Sequence, residues 1–135
     1  MAEYLLDTNH ASRLMAREAP LAARVRAAQA SGDRFSLSVT VLGELYYAAY
    51  ASQRREENLR RLLTLTEVLP FWPFGERAAE EFGRIQAEQK VAGRPIPPMD
   101  AQIAAVARTR GLVGLTADHH LSFVAGLVVQ NWVVA

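Results

Sequence analysis

The chain has 135 residues, half of them hydrophobic and 21% charged, with a formal net charge of +1, which suits one globular domain, residues 1–135, with ample apolar material for a core. It contains no cysteine, which excludes disulfides and thiolate metal sites and suits a reducing compartment. No apolar run approaches the ~18 residues of a membrane helix, the start lacks a signal-peptide pattern, and the near-neutral charge announces no polyanion-binding surface, so a cytoplasmic protein with no membrane partner is expected.

Glu3-Tyr4-Leu5-Leu6 is a short run that stops at an acid, Asp7. Continuous apolar character marks a strand covered on both faces. A helical stretch with Leu14 and Met15 follows, and a second helix opens near Pro20 and stops at Ser31-Gly32. Phe35 to Val39 reads as strand two, and Thr40 to about Ala51 as a helix with Leu42, Leu45, Tyr46 and Ala49 on one face. Tyr46, Tyr47 and Tyr50 suit core or a subunit interface better than a base-stacking platform. Arg54, Arg55, Arg60 and Arg61 share an amphipathic helix with acids and leucines, so their face reads as solvated.

Glu67 to Phe71 reads as strand three, ended by Pro73. Gly75 to about Ala92 is a long helix with Ala79, Phe82, Ile85 and Gln86 toward the core. A stiff loop holding Pro95, Pro97 and Pro98 leads to Met99-Asp100 and a helix from Ala101 to about Arg110. Gly111 to Thr116 reads as strand four, with Asp118 just past it, Val128-Val129 as an edge strand and Trp132 to Ala135 as an apolar tail.

Alternation of strands and helices implies right-handed crossovers and a parallel sheet between helix layers. If strands one to three run outward and strand four returns beside strand one, a crevice opens between the ends of strands one and four. Four acids, Asp7, Glu44, Asp100 and Asp118, can meet there. Each also has a structural explanation. Asp7 can cap a helix, Glu44 and Asp100 would gain from first-turn dipoles, and Asp118 suits a turn. Carboxylates crowded together repel unless a cation joins them. Oxygen ligands favour a hard ion, Mg²⁺ or Mn²⁺, and such an ion suits hydrolysis of phosphate esters, with nucleic acid as the natural polymer. His119 and His120 are adjacent, with His10 three residues after Asp7; adjacent histidines are expected to diverge, which disfavours a shared zinc, and a His near the crevice could instead contact phosphate or shuttle a proton.

The segments Tyr4–Asn9, Ser38–Leu45, Pro97–Ala105 and Leu115–Asp118, with Phe123, Gly126-Leu127 and Asn131-Trp132, resemble the ordered motifs of PIN-domain nucleases across the whole chain. The size resembles the VapC-type toxins of toxin–antitoxin pairs. The resemblance implies a three-layer α/β/α sandwich with a mainly parallel sheet, Mg²⁺ or Mn²⁺ dependence, endoribonuclease activity on RNA, a homodimer and a cognate antitoxin. It implies that Asp7, Glu44, Asp100 and Asp118 are catalytic metal ligands, with Thr8, Asn9 and Thr116 as their polar neighbours. The chain departs from the family at Ala117, where Asn or Asp is often found, and in a longer segment before Phe123. Arg13 and Arg17, read as lying on the helix after Asp7, are the candidate RNA contacts.

Two other enzyme readings fail on residues. An aspartyl-phosphate phosphatase needs a second acid where this chain has Asn9, and a dinucleotide site needs glycines that Asp7-Thr8-Asn9-His10 lacks. The alternative from another class is a catalytically silent RNA- or protein-binding module on the same scaffold. Retention of all four acids argues against it, because an unneutralised cluster is destabilising.

Overall fold

A computed structural model describes residues 1–133. Among them five strands, β1 (Glu3–Leu6), β2 (Arg34–Ser38), β3 (Phe71–Trp72), β4 (Val113–Leu115) and β5 (Val129–Gln130), form a sheet in the order β3-β2-β1-β4-β5. Every pairing is parallel. Six α-helices connect them: α1 (Thr8–Met15), α2 (Ala19–Ala30), α3 (Val39–Ala51), α4 (Arg55–Val68), α5 (Glu76–Val91) and α6 (Pro98–Arg110). The chain steps from β1 to β3 in one direction and returns beside β1 as β4, so right-handed crossovers put α1–α4 on one face and α5–α6 on the other. The expected α/β/α sandwich and its reversal point between β1 and β4 are both present. Val134 and Ala135 of the expected apolar tail lie outside the described residues. Among the described residues no helix is long and apolar enough to cross a membrane.

The sheet centre is closed to solvent. Leu5, Leu6, Leu37 and Leu115 are fully buried, and Ile85, Ala104, Ala105 and Leu62 close on them from the helix layers. Small residues on α6 let it lie close to the sheet, since Ala101, Ala104, Ala105 and Ala107 are all without exposure. At the β1–β2 edge Tyr4 stacks on Phe35 with ring centroids 5.0 Å apart, and Trp132 meets Tyr4 edge-on at 5.0 Å. This aromatic trio fastens the end of the described chain to its first strand. Arg108 does similar work elsewhere: it reaches Glu81 at 2.6 Å, Glu88 at 2.8 Å and the Ala125 carbonyl at 3.0 Å, tying α5, α6 and the following loop together.

Several boundaries differ from the sequence reading. Glu67 and Val68 continue α4, because the Leu62–Leu65–Leu69 spacing keeps a helical face buried, and β3 is only Phe71–Trp72. On α5 the core face is Ala78, Ile85 and Gln89 with Phe82, while Ala79 is exposed. Helix α6 starts at Pro98, whose missing N–H costs nothing in a first turn. Gly111 belongs to that helix's end rather than to β4: it adopts φ 65°, a left-handed cap that glycine takes without strain. The edge strand falls one residue later, at Val129–Gln130, and His119–Phe123 forms a short 3₁₀ turn absent from the sequence reading.

Candidate active site

Parallel strands place the starts of the following helices at one edge of the sheet, and the four acids gather there. Leu6 pairs with Leu115. The next residues, Asp7 and Thr116, are therefore neighbours across the β1–β4 junction. The Asp7 backbone N–H donates to the Leu115 carbonyl at 2.9 Å, and the Thr116 hydroxyl donates to Asp7 Oδ2. That same hydroxyl oxygen accepts the Asp118 backbone N–H at 2.9 Å. Thr116 thus links the first acid to the fourth.

Asp7 also caps α1. Its Oδ1 accepts the His10 backbone N–H at 3.1 Å, so the structural and the functional explanations hold together. His10 is fully buried, and its Nδ1 lies 3.3 Å from Asp7 Oδ1. Its Nε2 is 3.0 Å from the backbone nitrogen of Trp132. A backbone N–H can only donate, so Nε2 is the acceptor and Nδ1 is the nitrogen whose hydrogen points to Asp7. The sequence reading missed this role. The available signal was spacing: His10 is the third residue of the helix that Asp7 caps, where a side chain can turn back on the cap. Burial excludes the phosphate-contact alternative for His10.

Glu44 lies in the second turn of α3, beyond the first turn where the helix dipole would have explained it. The Thr8 hydroxyl donates to Glu44 Oε1 at 2.7 Å, joining α1 to α3 beside Asp7. Across the two helix layers the Thr40 hydroxyl meets Gln102 Oε1 at 2.9 Å, which holds the start of α3 against α6 and so positions Asp100. Glu44, Thr8, Tyr47, Met99 and Gln102 line an open groove of about 590 Å³ next to the acids. Tyr47 and Tyr50 are 76% and 55% exposed, so they are surface rather than core, whereas Tyr46 packs against the core.

Asp100 and Asp118 titrate together. Burial, the Asp118 charge and a hydrogen bond between the two carboxyls push Asp100 up to about 6. Burial acts on Asp118 too, but the His120 backbone N–H, the Asp100 hydrogen bond and the His120 ring outweigh it and hold Asp118 below the usual range. The Glu44 charge is also felt at Asp100. Between about pH 4 and 6 Asp100 therefore keeps a proton that a free carboxyl would have lost. Four oxygen-bearing acids suit a hard divalent ion.

The 3₁₀ turn corrects one expectation. His119 and His120 do not diverge: both rings pack edge-on against Phe123, and their centroids are 4.3 Å apart. Together with Asp118 they offer three ligand atoms within 4.8 Å of one another. Asp118 Oδ1 accepts the His120 backbone N–H at 2.9 Å, which fixes the turn.

The remaining sequence candidates separate. Thr8 and Thr116 touch the acids, whereas Asn9 is exposed and among the described residues hydrogen-bonds none of them. Arg13 is engaged by Glu18 at 2.8 Å. Arg17 lies beyond α1, at φ 56°, and lines a different groove with Leu14, Met15, Val25, Arg26 and Leu65. The arginines of α4 face solvent as expected, with Arg61 paired to Glu57 at 2.8 Å.

Comparison with known proteins gives a consistent picture. The PIN domain family model matches residues 4–127. The tRNA(fMet)-specific endonuclease VapC of Shigella flexneri is 33% identical, over 98% of this chain and 99% of its own. Ribonuclease VapC2 of Haemophilus influenzae is 35% identical, over 98% and 100%. The crystal structure of DNA-bound VapBC from Salmonella typhimurium superposes with a TM-score of 0.89 at 28% identity, covering 98% of this chain and all of that one.

Proposed function

This chain belongs to the PIN-domain family, and from that premise we propose that it is a VapC-type toxin, an endoribonuclease whose four acids hold Mg²⁺ or Mn²⁺. The observation that carries the reading is the run of contacts through the acids: Glu44 to Thr8, Asp7 to Thr116, Thr116 to Asp118, and Asp118 and Asp100 both beside His120 Nδ1. The whole chain, 1–135, acts as one catalytic domain in the cytoplasm, forms a homodimer and is restrained by an antitoxin. Matches along nearly the full length of VapC relatives, and the likeness to a VapBC complex, support the pairing.

Asp7, Glu44, Asp100 and Asp118 would hold the ion, and the chemistry it would supply there is charge neutralisation at the scissile phosphodiester and a more acidic attacking water. The protein's own residues do the positioning. Asp7 and Asp118 follow strands β1 and β4, and Glu44 and Asp100 lie on helices α3 and α6, so two strand ends and two helices rather than one flexible loop would set the ion's place. Thr116 and His10 fix both oxygens of Asp7. Thr8 fixes one oxygen of Glu44 and leaves the other for the ion. The groove beside Glu44 gives RNA an approach along Met99 and Tyr47.

The test is cleavage of tRNA, the substrate class named for the Shigella relative, by purified protein with Mg²⁺, with Mn²⁺ or with chelator. The reading requires cutting with either ion and none with chelator. Cutting undiminished by chelator would refute metal dependence. Intact RNA together with tight RNA binding would favour the silent binding module.

A further inference from the structure

The acids account for the hard-ion chemistry, but His120 is left over. Its Nδ1 is buried and points into the crevice between two carboxylates, 2.8 Å from Asp118 Oδ1 and 3.6 Å from Asp100 Oδ2. Despite that proximity it makes no hydrogen bond, because the ring is out of line with either oxygen. A buried imidazole nitrogen without a partner is costly unless something else fills the role.

The spacing matches that of ligands around one ion. Two ligands at right angles on bonds of ~2.1 Å stand about 3.0 Å apart, and the two separations at His120 Nδ1 bracket that value. His119 does not compete on the same terms: its ring is 74% exposed and its Nδ1 is 3.8 Å from Asp118. The 3₁₀ turn is what aims His120 inward, since Asp118 caps it and Phe123 packs against the ring.

We propose that His120 is a nitrogen ligand of the ion held by Asp100 and Asp118, and that it biases the site from Mg²⁺ toward Mn²⁺. This rests on the metal-site reading above and adds a donor to it. Imidazole suits first-row transition ions, while carboxylate and water suit Mg²⁺ equally well, so one nitrogen among oxygens shifts preference toward Mn²⁺ and the ions that follow it.

The experiment is electron spin-echo envelope modulation on the full chain loaded with Mn²⁺, with calorimetric titration of Mn²⁺ and Mg²⁺ in parallel. Wild type and His119→Gln should show modulation from a directly bound nitrogen, and His120→Gln should lose it. The Mn²⁺ preference over Mg²⁺ should fall on the order of tenfold in His120→Gln. Bound Mn²⁺ without nitrogen modulation in wild type would overturn the proposal and leave the carboxylate site standing. So would modulation that survives in His120→Gln or vanishes in His119→Gln. Failure of wild type to bind Mn²⁺ at all would overturn the carboxylate site as well. The wild-type spectrum decides the central point without relying on any variant to fold.

Discussion

The Thr116 hydroxyl stands between two acids, donating to Asp7 and accepting the backbone N–H of Asp118. It is in this position because Leu6 and Leu115 are paired in a parallel ladder, so the residues that follow them leave the sheet side by side. Thr116→Val removes both bonds while keeping the shape. We expect metal affinity to fall by roughly 10- to 100-fold, as for other residues that orient a ligand, with restoration in Thr116→Ser. Calorimetry on the two variants checks this, and equal losses in both would show that the hydroxyl is not the cause.

His10 joins that arrangement to the end of the described chain. Its Nε2 accepts from Trp132 and its Nδ1 faces Asp7. Nitrogen-15 NMR should find the hydrogen on Nδ1, and a hydrogen on Nε2 would contradict the assignment. His10→Phe should destabilise the fold by about 1–3 kcal/mol, because it leaves the buried Trp132 N–H without an acceptor. Urea denaturation measures that loss.

The acid pair sets a pH dependence with a definite sign. Asp100 is raised to about 6 from 3.8, chiefly by burial and then by Asp118. A carboxyl that holds its proton more tightly when folded costs the ion-free protein stability as pH rises from about 4 to 6. Asp118 is lowered, so its contribution is present above the unfolded value near 3.8 and is lost as pH falls below it. In the ion-free protein, Asp100→Asn should therefore raise Tm at pH 7.5 and lose that advantage by pH 4. Metal must displace the Asp100 proton, so affinity should drop about tenfold between pH 7 and pH 5. Calorimetry at the two pH values checks the second expectation, and melting curves check the first.

Asp118 stands where the chain departs from its family, beside Ala117. Its bonds to Thr116 and His120, and its charge felt at Asp100, put it in the same crevice as the other three acids. Asp118→Asn should reduce single-turnover cleavage as much as Asp7→Asn. A markedly milder loss would move the fourth ligand elsewhere.

Much of this was legible in the residues. The run Tyr4-Leu5-Leu6 before Asp7 announces a covered strand, and the supposed return of strand four to lie beside strand one is the order that puts Asp7 beside Thr116. Short-range signals failed where tertiary packing decides. Glu67 and Val68 have strand-like neighbours, but burial of Leu65 and Leu69 keeps α4 going. The inward aim of His120 depends on packing against Phe123, and the tie from His10 to Trp132 spans 122 positions, so neither could be read locally. Arg17 looked like a helix residue near Asp7, yet the turn after Met15 sends it to another groove.

The central claim is that Asp7, Glu44, Asp100 and Asp118 together hold the ion that cuts RNA. Its most direct test is single-turnover cleavage of tRNA by Asp100→Asn at saturating Mg²⁺, with melting curves to verify the fold. The account predicts a loss of at least about a hundredfold in a protein that still melts cooperatively. Cleavage at the wild-type rate by that variant would contradict it.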